Sequence, residues 1–206
     1  MDFFLLLPGA FFAPIIHEWV KARVSATLGD PVPRNSGFLR WNPLKYFEPI
    51  GFFFMMMFHV GWGRPVPTSP LYYKDRRMGT ILVHTAPILA NLLVGMLAAF
   101  LWTAILRDAL FARAGASEWG MRTLVYTNRA MHRFVQMNIG LAVFSLIPVF
   151  PMGGSKLLQL FVSPETSMRL NHYEKPMQII LILMLIFGML QMLIFPIRDF
   201  IFGLVW

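Results

Sequence analysis

Residues 3–28 read FFLLLPGAFFAPIIHEWVKARVSATL, an apolar run that carries no formal charge until Glu18, in the group His17-Glu18-Trp19-Val20-Lys21. A helix crosses a ~30 Å hydrocarbon core with about 20 predominantly apolar residues, and this run has that length and composition. Ionisable side chains inside such a helix are costly, so His17, Glu18 and Lys21 are functional candidates from the outset. Gly29, Pro31 and Pro33 stop the helix. No basic stretch precedes the run, and it passes straight into His17 and Glu18 without a small-residue cleavage site. It therefore reads as a retained span rather than a signal peptide.

Composition extends this reading to the rest of the chain. Of 206 residues 57% are hydrophobic and 14% charged, and the mean hydropathy is +0.59, too apolar for a soluble domain of this size. The formal charge is +8, but the Lys and Arg side chains gather in the connections, where anionic lipid headgroups meet them. The charge therefore reads as membrane-surface charge, and nucleic acid is not an expected partner. Cysteine is absent, so disulfides and thiolate metal sites are excluded and any metal would rest on His, Asp or Glu.

Segmentation predicts an all-α polytopic membrane protein forming a single domain over 1–206, with about five membrane segments. The first is 3–28. The connection 33–49 mixes Gly37, Asn42-Pro43 and the alternation Phe38-Leu39-Arg40-Trp41, which reads as a short surface β element. Segment two, 50–62, is strongly apolar but short, as a re-entrant element would be. Its run Phe52 to Phe58 reads as packing or lipid-facing surface. Segment three is 78–106, after the basic cluster Lys74, Arg76 and Arg77, which reads as interfacial anchoring. Residues 107–133 are polar and basic, with Gly115, Ser117 and Gly120 marking a loop and part of the stretch suited to an interfacial helix. Segment four, 134–149, is broken by Pro148, Pro151 and Gly153-Gly154 before resuming at 155–162, the pattern of a helix interrupted at membrane depth. Segment five runs from Pro176 to the C-terminus with a kink or end at Pro196. Basic residues flank several connections, so the positive-inside rule gives no clean orientation.

The chemistry centres on the end of the first helix. Two histidines four apart share a helix face and grip zinc, while a glutamate beside the first activates the metal-bound water. Here only His17-Glu18 is present. The downstream segments are more specific: LGDPVPRNSGFLRWNPLKYFEPIG at 28–51, GWGRPVP at 61–67, YYKDRRMG at 72–79, TAPILANLLVG at 85–95 and NIGLAVFSLIPVFPMGGSKLL at 138–158. In that order these segments resemble the small bacterial branch of the site-2 protease family, intramembrane zinc metalloproteases, over nearly the whole chain. The resemblance implies a core of transmembrane helices with the site sunk below the membrane surface. It also implies zinc held by two histidines of the first helix and by an Asp in a later Pro-rich turn.

The departures fall on that chemistry. The second histidine position is Lys21, the Asp position is Gly153, and an upstream Asn is Ser145; Ala86-Pro87 and Asn91 depart from the family's spacing as well. A catalytic zinc needs three protein ligands and an open position, and neither glycine nor a protonated lysine supplies one. Glu18 and Lys21, three apart on a helix, can pair instead. The expected site is thus vestigial: His17, Glu18, Lys21 and Gly153, with no confident catalytic residue, no cofactor and no metal. His17 and Glu18 then read as inherited polar residues satisfied within the bundle.

Function is expected to be that of a catalytically inactive site-2-protease-like protein, an accessory or structural subunit or binding partner of a membrane protein complex. Its partners would be other integral membrane proteins, transmembrane helices and lipids, in a bacterial inner membrane. The alternative is an active intramembrane zinc metalloprotease with unconventional ligands drawn from His17, His59 and His84, with Glu18 as general base. A third reading has those histidines bind a pigment or haem.

Overall fold

A computed structural model describes residues 2–40, 42–114, 117–150 and 152–206. Trp41, Gly115 and Pro151, on which the expected segment boundaries partly rest, lie outside the described residues. After a 3₁₀ turn at Asp2–Leu6, the described residues form ten α-helices: α1 (Leu7–Thr27), α2 (Val32–Asn35), α3 (Pro49–Phe58), α4 (Arg76–Leu101), α5 (Arg107–Ala114), α6 (Glu118–Ser145), α7 (Gly153–Leu158), α8 (Pro164–His172), α9 (Glu174–Ile186) and α10 (Met189–Gly203). No strand occurs among the described residues. The surface β element expected over 33–49 is corrected: Pro31 and Pro33 start the single turn of α2, and Asn42 caps a 3₁₀ turn at Pro43–Tyr46 by accepting the Leu44 N–H at 3.2 Å. Proline lacks a donor for a ladder but suits the first turn of a helix.

The count of about five spans is corrected too. Two helices are long and apolar enough to cross a membrane, Phe3–Thr27 and Arg76–Arg113; α9 and α10, bent by 71° at Gly188, make a third if taken as one broken span. Segment two forms only the ten-residue α3. Segment four merges into α6, a 28-residue helix whose N-terminal half is polar. The expected loop over 107–133 is mostly helix. α4 runs through a π-helical turn at Trp102–Leu106 into α5, and α6 packs back along them. Such π turns insert an extra residue into the helical ladder and rotate the helix beyond them. Trp102 anchors this one by donating its indole N–H to Asn128 Oδ1 at 2.7 Å.

Segment two goes out and comes back as a closed excursion of the chain. The chain enters α3 after Glu48 and returns to its starting level, where the Arg64 N–H donates to Tyr46 O at 2.8 Å. Its legs touch backbone to backbone, since a Cβ on Gly51 would collide with the Trp62 carbonyl and one on Gly61 with the Gly51 carbonyl. Only glycine permits that approach.

The core is α1, α4 and α6, with α10 packed on the far side of α6. Their contact is made close by small residues: Gly9 lies against Met137 and Phe134, and Gly95 against Ile139 and Asn138. Between membrane helices this substitutes van der Waals packing for the hydrophobic effect, which lipid does not supply. The basic end is tied by Asp30, 2% exposed. Its carboxylate accepts from Ser25 Oγ (2.7 Å), the Val32 N–H (2.9 Å) and the Ser69 N–H (2.8 Å), and Ser25 also meets the Tyr73 hydroxyl at 2.8 Å. This joins the end of α1 to the connection leading into α4.

Asp30→Ala should therefore lower stability by roughly 2–4 kcal/mol, since it strands two half-buried backbone donors and the buried Ser25 hydroxyl. Thermal unfolding in mild detergent measures this, and Asp30→Asn should recover part of the loss. Burial also pushes the Tyr73 hydroxyl above its usual value of 10.0. The folded chain then holds that proton longer than the unfolded chain, so stability should decline as pH rises above 10. Tyr73→Phe, whatever it costs at neutral pH, should remove that part of the decline.

Candidate functional site

Halfway along the three core helices runs a chain of polar groups. His17 Nδ1 lies 3.1 Å from Asn91 Oδ1, the Asn91 amide donates to Ala13 O at 3.0 Å and to Asn138 Oδ1 at 3.1 Å, and Asn138 donates to Phe134 O at 2.9 Å. Asn91 and Asn138 are fully buried. Because the Asn91 oxygen can only accept, Nδ1 of His17 carries the proton and Nε2 is left with its lone pair. That is the orientation a neighbouring oxygen gives a metal-ligating histidine.

One residue on, Glu18 is 8% exposed. Its Oε2 accepts the Val66 N–H at 2.8 Å and lies 3.6 Å from Lys21 Nζ. Val66 belongs to the irregular run 60–69 beyond α3, so this run lies across the polar end of α1. A cavity of about 30 Å³ collects the residues in question: His17, Glu18 and Lys21 from α1, His84 from α4, Ser145 from the end of α6, and Gly153 from the start of α7. It has room for about one or two waters.

The two glycines of the turn differ. A Cβ on Gly154 would collide with the Leu146 and Ile147 carbonyls, so the turn requires glycine there. A Cβ on Gly153 would meet only His84, at 3.4 to 3.6 Å, which is ordinary contact. Packing therefore admits a side chain at 153, aimed at the His84 ring.

Of the sequence candidates, His17, Glu18, Lys21, Gly153 and His84 come together. His59 does not line this cavity; it caps α3 in the left-handed region, φ 59°, with its carbonyl toward Gly140 on α6. Asn138 escaped the sequence reading. Its signal was a lone amide inside the apolar run 137–144, where unsatisfied polar groups are not tolerated. The role of Val66 is a backbone one and carries no side-chain signal.

The chain has a named relative. It is similar to the Bacillus subtilis (strain 168) protein called "Putative zinc metalloprotease YwhC". The two are 27% identical over 163 residues, 77% of this chain and 69% of the relative. No family model matches the sequence, and no solved structure matches it. The similarity supports a metalloprotease family, and with the long apolar helices it supports a membrane protein.

A zinc ion is what such a relationship implies, and the donor set can be tested against it. Among the described residues no group of three or more His, Cys, Asp or Glu side chains is placed to hold a metal ion. His17 offers one imidazole nitrogen, Gly153 offers nothing, and Lys21 brings an ammonium beside the carboxylate. These residues do not fit a three-ligand zinc site.

Asn91→Leu should test the polar chain. It leaves Asn138 Oδ1, the His17 ring and the Ala13 carbonyl without their partner, and should cost about 1–2 kcal/mol in SDS-titrated unfolding, the upper range for interhelical hydrogen bonds in membranes. Asn91→Asp, which keeps the size but not the donor, should cost at least as much.

Proposed function

We propose that this chain is a membrane protein of the site-2 protease kind whose zinc site has been dismantled. It acts by binding, as an accessory or structural subunit or binding partner of a membrane protein complex, in a bacterial inner membrane. The observation that carries this is the Lys21 ammonium, 3.6 Å from Glu18 Oε2 in the cavity that Gly153 also lines. A cation fixed on the helix one turn beyond His17 repels a divalent ion from the position between His17 and Glu18, and takes up the charge of the carboxylate in its place. The apolar helices and the similarity to a bacterial relative support the location. Other integral membrane proteins are the partners that such a scaffold suits.

A second reading is favoured by one observation: His84 lines the same cavity as His17 and lies beside Gly153. Two imidazoles and Glu18 as general base would be the core of a metalloprotease with unconventional ligands.

Metal analysis separates the two. Purified without chelator, the wild-type chain should carry zinc far below one ion per chain, and stoichiometric zinc removed by His17→Ala or His84→Ala would decide for the enzyme. The dismantled site should also be reparable, since Gly153 has room for a side chain and Lys21 already faces the cavity. Lys21→His combined with Gly153→Asp should gain zinc binding that neither single substitution gives, read by isothermal titration.

A further inference from the structure

Beside the small cavity lies a groove of about 1060 Å³ that neither reading of the zinc site occupies. It borders the small cavity, sharing Lys21, Trp62, Pro65 and His84 with it. One wall is α4, which presents Arg76 and Arg77, then Thr80, then His84 on successive turns. At 1.5 Å per residue that wall falls about 12 Å from the basic end into the span. The lining also includes Phe150, Lys156, Leu160, Val162 and Ile182, interspersed with Gln159, Asn171 and Gln178. Ile50, Trp62 and Val66 close the side.

Four cations, Lys21, Arg76, Arg77 and Lys156, line the groove against one carboxylate, Glu48, so its charge is net positive, and apolar and neutral polar side chains make up the rest. Two of its four cations are already matched: Lys21 by Glu18, and Lys156 by Glu174 at 3.1 Å. Arg76 and Arg77 pair with no acid among the described residues, and Arg77 only covers the Phe161 ring at 5.7 Å. Lys74, the third member of the basic cluster, is not part of the lining.

We propose that this groove binds an anionic phospholipid, its phosphate held by Arg76 and Arg77 and its acyl chain lying along the apolar wall. Paired guanidiniums match a phosphodiester in charge and geometry. Two guanidiniums at one end of α4, with Ile50, Phe150, Leu160, Val162 and Ile182 elsewhere in the lining, offer both a charged and an apolar surface, as an amphiphile at the membrane boundary requires. An extended peptide fits poorly. Along the run 64–69 the N–H groups of Arg64, Val66 and Ser69 already donate to Tyr46 O, Glu18 and Asp30, and Pro65 and Pro67 have none. An added strand would find almost no backbone donors there. The proposal holds whether or not the neighbouring site is catalytic.

The test is lipid binding to the full chain in detergent by native mass spectrometry. Phosphatidylglycerol should bind at least about tenfold more tightly than phosphatidylcholine, and Arg76→Gln/Arg77→Gln should abolish the difference. Arg107→Gln/Arg113→Gln, at the far end of the same long helix, should leave it intact. Glycerol phosphate at millimolar concentration should not compete, because it lacks the chain. If the double variant does not fold, each single Arg→Gln change should weaken phosphatidylglycerol roughly threefold. Equal affinity for the two lipids, equal loss in the Arg107/Arg113 control, or competition by glycerol phosphate would overturn the proposal. So would displacement of the lipid by an acidic peptide at equimolar concentration.

Discussion

Asn91 sets the geometry of the molecule. An amide in the middle of an apolar bundle has no water to turn to, so every polar atom it carries must find a partner on a neighbouring helix. Its oxygen takes His17 of α1, and its nitrogen takes the Ala13 carbonyl of α1 and the Asn138 oxygen of α6. Three helices are thereby fixed in rotation as well as in distance. The small residues Gly9 and Gly95 bring them close, but an apolar contact alone would let them slide; the amide does not. Which side chains of α1 face inward depends on this lock, and with them the positions of Glu18 and Lys21.

The second constraint is the run 60–69. Gly51 and Gly61 let the two legs around α3 close tightly, and the chain comes back across α1 with its N–H groups turned inward. Val66 donates to Glu18 and Ser69 to Asp30, two buried carboxylates on the same helix and its extension. Glu18 is therefore held by a backbone donor as well as by Lys21. Were the lysine replaced, the carboxylate would still be oriented, which is why substitution at 21 can alter chemistry without necessarily disordering the site.

Much of this was legible in the residues. Apolar runs marked α1 and α4, because a helix long enough to cross a membrane is read from composition alone. The short apolar run at 50–62 forms the ten-residue α3, too short to be one of the spans. The stretch 33–49 misled because alternation over four residues is a weak signal beside prolines, which favour helical turns at Pro31, Pro33 and Pro43. In the polar stretch 107–133 helix was expected for a part and extends over most of it, because α5 and the first half of α6 pack against each other and are helical without being apolar. The count of spans suffered from the same cause, since α6 is long but mixes both kinds of surface. At the site, His17, Glu18, Lys21 and Gly153 could be picked out from the motifs. Asn138 and the Val66 N–H could not be placed without the fold.

The two glycines of the turn before α7 carry different constraints. Gly154 is demanded by the backbone, since any side chain there would strike the carbonyls that end α6. Gly153 is not, and the space in front of it opens onto His84 and the cavity shared with Glu18. The turn, the polar chain through Asn91 and the oriented His17 ring thus enclose a cavity that Glu18, Lys21, His84 and Gly153 share. The surface most directly continuous with the site is the groove on its open side, where Lys21 and His84 belong to both cavities.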